Sequence, residues 1–106
     1  MAGIFKRKAI AKAVVAKIKE LPDGTITSTS GVVKMIYGHY KHNPNTKRTY
    51  DYGEFALETF EYFDLDHRIR KLAAKEDIIL DNSQWAMIPT GLPFNCSYII
   101  RHNKKI

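Results

Sequence analysis

The sequence predicts an α+β domain of about four helices with a small antiparallel sheet of two or three strands. Three observations carry that expectation. Residues 6–20 and 51–76 repeat apolar side chains at helical spacing, residues 78–80 and 96–102 are short β-prone runs, and turn chemistry separates the two kinds of segment. With 44% hydrophobic and 11% aromatic residues, 106 residues suit one core, so positions 1–106 are expected to form a single domain.

In residues 6–20, KRKAIAKAVVAKIKE, the side chains of Ile10, Val14 and Ile18, with Leu21 beyond, fall on one face while Lys8, Lys12 and Lys19 line its flank. That is the pattern of a helix with one core-facing stripe. Pro22, Asp23 and Gly24 end it with turn chemistry, and residues 25–27 are β-prone but too few for more than a short strand. Ser28, Thr29 or Ser30 can cap a second helix by accepting from its free amides. That helix carries Val32, Val33, Ile36 and Tyr37 and stops at Gly38. Residues 39–50, HYKHNPNTKRTY, contain Lys41, Lys47 and Arg48 and no acid, so an exposed basic loop is expected. From 51 to 63 helical spacing returns, placing Tyr52, Phe55, Ala56, Phe60 and Phe63 inward and Glu54, Glu58 and Glu61 outward. A turn at 64–66 then opens a fourth helix over 66–76, with Leu65, Ile69, Leu72 and Ala73 inward. Its exposed arc carries His67, Lys71 and Lys75, with Arg68 at the edge. Residues 78–80 read as a strand, 81–84 as a turn, 85–88 as a candidate second strand, PTGLP as a break and 96–102 as the last strand.

Seventeen Lys and Arg against eleven Asp and Glu leave a net charge of +6, which raises the expectation of a polyanionic partner. Its distribution is uneven: residues 1–20 carry +5, 21–50 carry +3, 51–77 carry −4 and 78–106 carry +2. Within 51–77 the acids lie on the helix expected over 51–63 and at both ends of the next, leaving the middle of helix 66–76 positive. A helix in a nucleic-acid groove faces phosphates, so helix 66–76 is the expected reader. The alternative is a solvated face in which these cations pair with Asp64, Asp66, Glu76 and Asp77.

The order of two helices joined by a turn at 64–66, followed by strands flanking a loop, is that of a helix-turn-helix with a β-wing. The segment FEYFDLDHRIRKLAAKEDIIL resembles the corresponding passage of winged-helix transcription regulators, where a polar helix ends in Leu-x-x-Lys before a β-rich stretch. The resemblance covers about a fifth of the chain and rests on residue types. It implies a winged-helix-like fold and a small regulator that binds double-stranded DNA through helix 66–76. Residues 80–105, LDNSQWAMIPTGLPFNCSYIIRHNKK, also resemble the ends of small uncharacterised proteins of Gram-positive bacteria and their mobile elements, which implies no activity. The stretch expected to form the wing is long and apolar where the family's is short and charged. In this scheme Lys8, Lys12, Lys47, Arg48, Lys104 and Lys105 supply sequence-blind phosphate contacts. The stripe of His67, Arg68, Lys71 and Lys75 contacts phosphates or a guanine edge, with Arg68, Lys71 and Lys75 expected to set register and read bases.

Two rival functions use other features. A protein-interaction module would present Trp85 and Met87, as a homodimer or to a partner protein. An RNA-binding protein would use the loop 39–50, where Tyr40 and Tyr50 interleave with cations. A further structural alternative pairs 28–38 with 51–63 across the basic loop, and then Glu54, Glu58 and Glu61 would face the groove.

Catalysis and cofactors find no support. Cys96 stands alone, so neither an internal disulfide nor a Cys-rich zinc site is expected, and His39 and His42 have no third ligand nearby. Gly31 and Gly38 are isolated rather than part of a phosphate-cradling loop, and no Gly-x-Ser-x-Gly turn activates a serine. Lys12 interrupts the N-terminal apolar stretch, so neither a signal peptide nor a membrane span is expected and the chain reads as cytoplasmic.

Overall fold

The computed structural model describes residues 3–38, 41–42, 49–82 and 97–103. Among these the chain is α+β, with three helices and two small antiparallel sheets. Helix α1 (Ile4–Glu20) is followed by strand β1 (Ile26–Ser28) and helix α2 (Thr29–Tyr37). Three short strands come next, β2 (Lys41–His42), β3 (Thr49–Asp51) and β4 (Ala56–Glu58). Helix α3 (Thr59–Lys75) and strands β5 (Ile78–Asp81) and β6 (Ser97–His102) complete the order.

The helical stripes expected in α1 and α2 form the core. Ile10, Val14 and Ile18 are fully buried, as are Val32 and Val33, and each such side chain contributes about 1.5–3 kcal/mol by leaving water. Ser28 caps α2, its hydroxyl accepting from the Gly31 amide at 2.9 Å. Gly38 closes the same helix at φ 86°, a left-handed conformation that glycine adopts without a Cβ clash.

In the first sheet β6 lies between β1 and β5, antiparallel to both. The register sets Ile26 opposite Ile99 and Leu80 opposite Ile100. Alternation along β6 turns Tyr98 and Ile100 into the core. The second sheet, in the order β2-β3-β4, stands between α2 and α3 in the chain.

Three sequence expectations fail here. Residues 41–42 and 49–50, expected within an exposed basic loop over 39–50, belong to the paired strands β2 and β3. The helix expected over 51–63 begins only at Thr59, because residues 49–58 form a hairpin. Its turn is built by Asp51, whose carboxylate accepts from the Gly53 amide at 2.9 Å, and by Gly53 at φ 88°. Tyr52 and Phe55 are buried as expected, but from the hairpin rather than from a helix face. The turn expected at 64–66 is also absent, and the two helices proposed around it are one helix of 17 residues. Asp64 and Asp66 do not cap a new helix. Each instead receives the Nε of the arginine one turn later, Arg68 and Arg70, at 2.8 Å, and these i,i+4 pairs bind successive turns together.

Asp77, in the link from α3 to β5, has φ 58° although it carries a side chain. Its amide closes the helix end on the Ala74 carbonyl at 3.1 Å. Its negative charge opposes the helix dipole there. Asp77→Gly should therefore raise unfolding stability by about 1 kcal/mol in a urea titration.

Candidate nucleic-acid interface

The site expected on residues 67–75 depends on which side of α3 is covered. Tyr62, Leu65, Asp66, Ile69 and Ala73 are buried and form the inner side. The opposite arc carries Phe60, Phe63, His67, Lys71 and Ala74, all exposed, with Lys75 at its edge. At roughly 100° per residue these positions form one continuous stripe along the helix.

Exposure therefore agrees with the expected position of His67, Lys71 and Lys75. It reverses that of Phe60 and Phe63, which were expected to pack inward but are 62% and 39% exposed. Of the carboxylates expected on the outer face, Glu54 is exposed and Glu58 half-buried, whereas Glu61 turns inward. Glu61 is 4% exposed and accepts from the Glu58 amide at 2.9 Å, completing a reciprocal capping box at the start of α3. The helix carries two apolar stripes, and the one containing Tyr62, Leu65 and Ile69 meets the rest of the core. Tyr62 stacks on Tyr50 at 4.5 Å between ring centres, while its hydroxyl accepts from the Ser30 amide at 3.1 Å.

Beside the exposed arc runs a groove between α1 and α3. Arg7 pairs with Asp64 at 3.2 Å and Lys19 with Glu76 at 3.4 Å, so the helices are tied at matching ends and run in the same direction. The groove encloses about 270 Å³, with Ala11 and Leu72 as its apolar floor and Lys8, Lys12, Arg68, Lys71 and Lys75 as its walls. No carboxylate lines it among the described residues. Toward the C-terminal ends of the helices a second hollow of about 280 Å³ adds Lys19 and Glu76. Successive turns of each helix set Lys8 and Lys12, and likewise Lys71 and Lys75, about 6 Å apart along the axis.

The solvated-face alternative applies to part of this surface. Arg68 shares Asp64 with Arg7, and Arg70 is withdrawn to Asp66 and to the Leu80 carbonyl, which its guanidinium meets at 2.8 Å. Lys8, Lys12, Lys71 and Lys75 are exposed and enter no ion pair among the described residues. Lys8 lies 5.9 Å from the centre of the Phe5 ring.

A buried polar cluster positions α3. Asp66 accepts from the Thr29 hydroxyl at 2.6 Å and from Arg70, and Thr29 also lies 3.1 Å from the Tyr98 hydroxyl. The Arg70 guanidinium sits 5.3 Å from the Tyr98 ring centre. These contacts tie α2, α3 and β6 together behind the exposed arc. Elsewhere, burial together with nearby Glu54 raises the Tyr37 phenol above its ordinary pKa.

Lys47, Arg48, Trp85, Met87, Lys104 and Lys105 lie outside the described residues, as do Tyr40, Cys96 and the strand expected at 85–88. Tyr50, one of the loop rings expected to stack on bases, is engaged with Tyr62 instead. The pairing of α1 with α3 across a cationic groove was not anticipated. The signal available was that Lys8 and Lys12 repeat at one-turn spacing, as Lys71 and Lys75 do. Among the described residues no group of three or more His, Cys, Asp or Glu side chains can hold a metal, and no helix is long and apolar enough to cross a membrane. In the comparisons with known proteins, no family model, no curated protein and no solved structure matches this chain.

Proposed function

We propose that this protein is a small double-stranded DNA-binding regulator of winged-helix type, with α3 as its reader. The observation that carries the proposal is the unbroken cationic groove of Lys8, Lys12, Arg68, Lys71 and Lys75 beside the exposed face of α3, with no carboxylate among its described lining. Phosphates are the ligand for such a surface, because each neutralised phosphate releases condensed counterions. The order α1-β1-α2-α3-β5-β6, with β6 between β1 and β5, supports the winged-helix assignment. In that scheme the strands β2–β4 are an insertion between the second and third helices, and the connection from β5 to β6 takes the wing's place in chain order. The helix pair is then α2 with α3. The objection to pairing them, that Glu54, Glu58 and Glu61 would face the groove, loses force because Glu54 lies in the hairpin ahead of α3 and the other two are engaged in the capping box.

A salt titration of binding to duplex DNA, followed by fluorescence anisotropy, tests the proposal. Four to five phosphate contacts give a slope of log K against log salt of about −4, so affinity should fall about 250-fold between 50 and 200 mM salt. Absence of binding at about 50 mM, or a slope near zero, overturns it. A duplex RNA of the same length, run alongside, should bind less tightly, because the deep, narrow major groove of A-form RNA does not admit a helix.

A further inference from the structure

Phe60 and Phe63 stand on the same face of α3 as His67 and Lys71, at its N-terminal end, with Phe60 62% and Phe63 39% exposed. Neither the core nor the phosphate-binding groove uses their exposed surface. We propose that these two rings read thymine methyl groups in the major groove of DNA, making the N-terminal half of α3 the base-reading end and its C-terminal half, with α1, the phosphate-binding end. The inference rests on the DNA-binding proposal above and names the base edge that the exposed face of α3 recognises.

Charge complementarity selects the occupant. The aromatic patch continues within the same stripe into His67 and then Lys71, with Lys75 beside it, so a covering surface must be apolar at one end and anionic at the other. The nearest carboxylate on the helix surface, Asp64, is held between Arg7 at 3.2 Å and Arg68 at 2.8 Å. Glu61, one turn from it, is turned inward. A DNA major groove, about 12 Å wide, admits a helix, is walled by phosphates and presents the thymine C5-methyl as its apolar element, which phenylalanine contacts directly. From Phe60 to Lys71 the stripe runs about 16 Å along the helix, enough to reach from base edges to the phosphates at the groove wall. His67, exposed between the two ends, presents ring nitrogens for hydrogen bonds to neighbouring base edges.

The experiment compares three duplexes of about 21 base pairs, two helical turns long. One alternates adenine and thymine, the second replaces every thymine by deoxyuracil, and the third alternates guanine and cytosine. The first two differ only in the methyl groups and share charge and pairing. Wild type should bind the thymine duplex more tightly than the deoxyuracil duplex by about fourfold for each methyl covered, which is the transfer value of one buried carbon. The two salt slopes should be equal. Phe60→Ala/Phe63→Ala should bind both duplexes alike, with the wild-type slope retained and folding confirmed by circular dichroism. If wild type binds thymine and deoxyuracil duplexes equally well with a steep salt slope, the methyl-reading proposal is overturned while phosphate binding stands. If no duplex is retained at about 50 mM salt, the underlying DNA-binding proposal fails as well. A concentration-dependent dimer in sedimentation that the alanine variant converts to monomer assigns the rings to self-association and likewise overturns the inference. The wild-type comparison decides the question even if the double variant does not fold.

Discussion

Lys71→Glu/Lys75→Glu is expected to weaken duplex binding by about 60-fold or more at 0.1 M salt, while leaving the fold intact. Both lysines are exposed, at the boundary between the groove and the reader face, and neither enters an ion pair among the described residues. Two lost phosphate contacts reduce the slope of log K against log salt by about 1.8, and at 0.1 M that alone is close to two decades in affinity. Repulsion between the new carboxylates and the DNA adds to the loss. Stability should change little, because surface substitutions that break no contact stay within about 0.5 kcal/mol. Parallel anisotropy and thermal melting measure the two quantities. Unchanged affinity and slope in the double variant would remove α3 from the interface, whatever the rest of the chain binds.

The largest stability effect is expected at Asp66. It is 9% exposed, and its carboxylate accepts from both Thr29 and Arg70. Truncation in Asp66→Ala leaves a buried hydroxyl and a partly buried guanidinium without their shared acceptor, and breaking a fully buried pair costs about 3–5 kcal/mol. The Arg70 side chain is 29% exposed and keeps the Leu80 carbonyl, so water and that carbonyl recover part of the loss. We expect about 2–4 kcal/mol by urea denaturation. A loss below about 1 kcal/mol would show that the cluster does not hold α3 against α2 and β6. Thr29→Val, which keeps side-chain shape but removes the hydroxyl donor, should cost about 1–2 kcal/mol, a smaller loss because the Asp66–Arg70 pair remains.

Legibility in the sequence followed how local each feature was. The stripe of Ile10, Val14 and Ile18, a cap within residues 28–30 and the stop at Gly38 are set by residues within a few positions of one another and lie where periodicity and capping chemistry put them, the structure choosing Ser28 from the three candidate caps. The hairpin over 49–58 was hidden because Tyr52, Phe55 and Ala56 also satisfy helical spacing. What distinguishes the two outcomes is the Asp51–Gly53 turn and the pairing of β4 with β3. Asp64 and Asp66 carried two local meanings, cap or i,i+4 partner. Arg68 and Arg70 settled the second, and α3 runs through as one helix. Of the candidate site, the exposure of His67, Lys71 and Lys75 is as the helical spacing predicts. For the partner wall, Lys8 and Lys12, the sequence indicates only sequence-blind phosphate contacts, because the pairing of α1 with α3 is not a local property.

The amino-acid sequence by itself determined the net positive charge, the apolar stripes able to build a core, and the one-turn spacing of the lysines on two helices. These follow from composition and from the 3.6-residue period alone. Only the tertiary structure decided which of the two apolar stripes of α3 is buried. Phe60 and Phe63 read as core-facing when grouped with Tyr52, Phe55 and Ala56, but once the hairpin removes those three, the buried side of α3 is the one that meets α1, the sheets and the Thr29–Asp66–Arg70 cluster. That selection leaves two aromatic rings and two lysines facing solvent. It also aligns α1 beside α3, so that charges some 60 residues apart in the chain line a single groove.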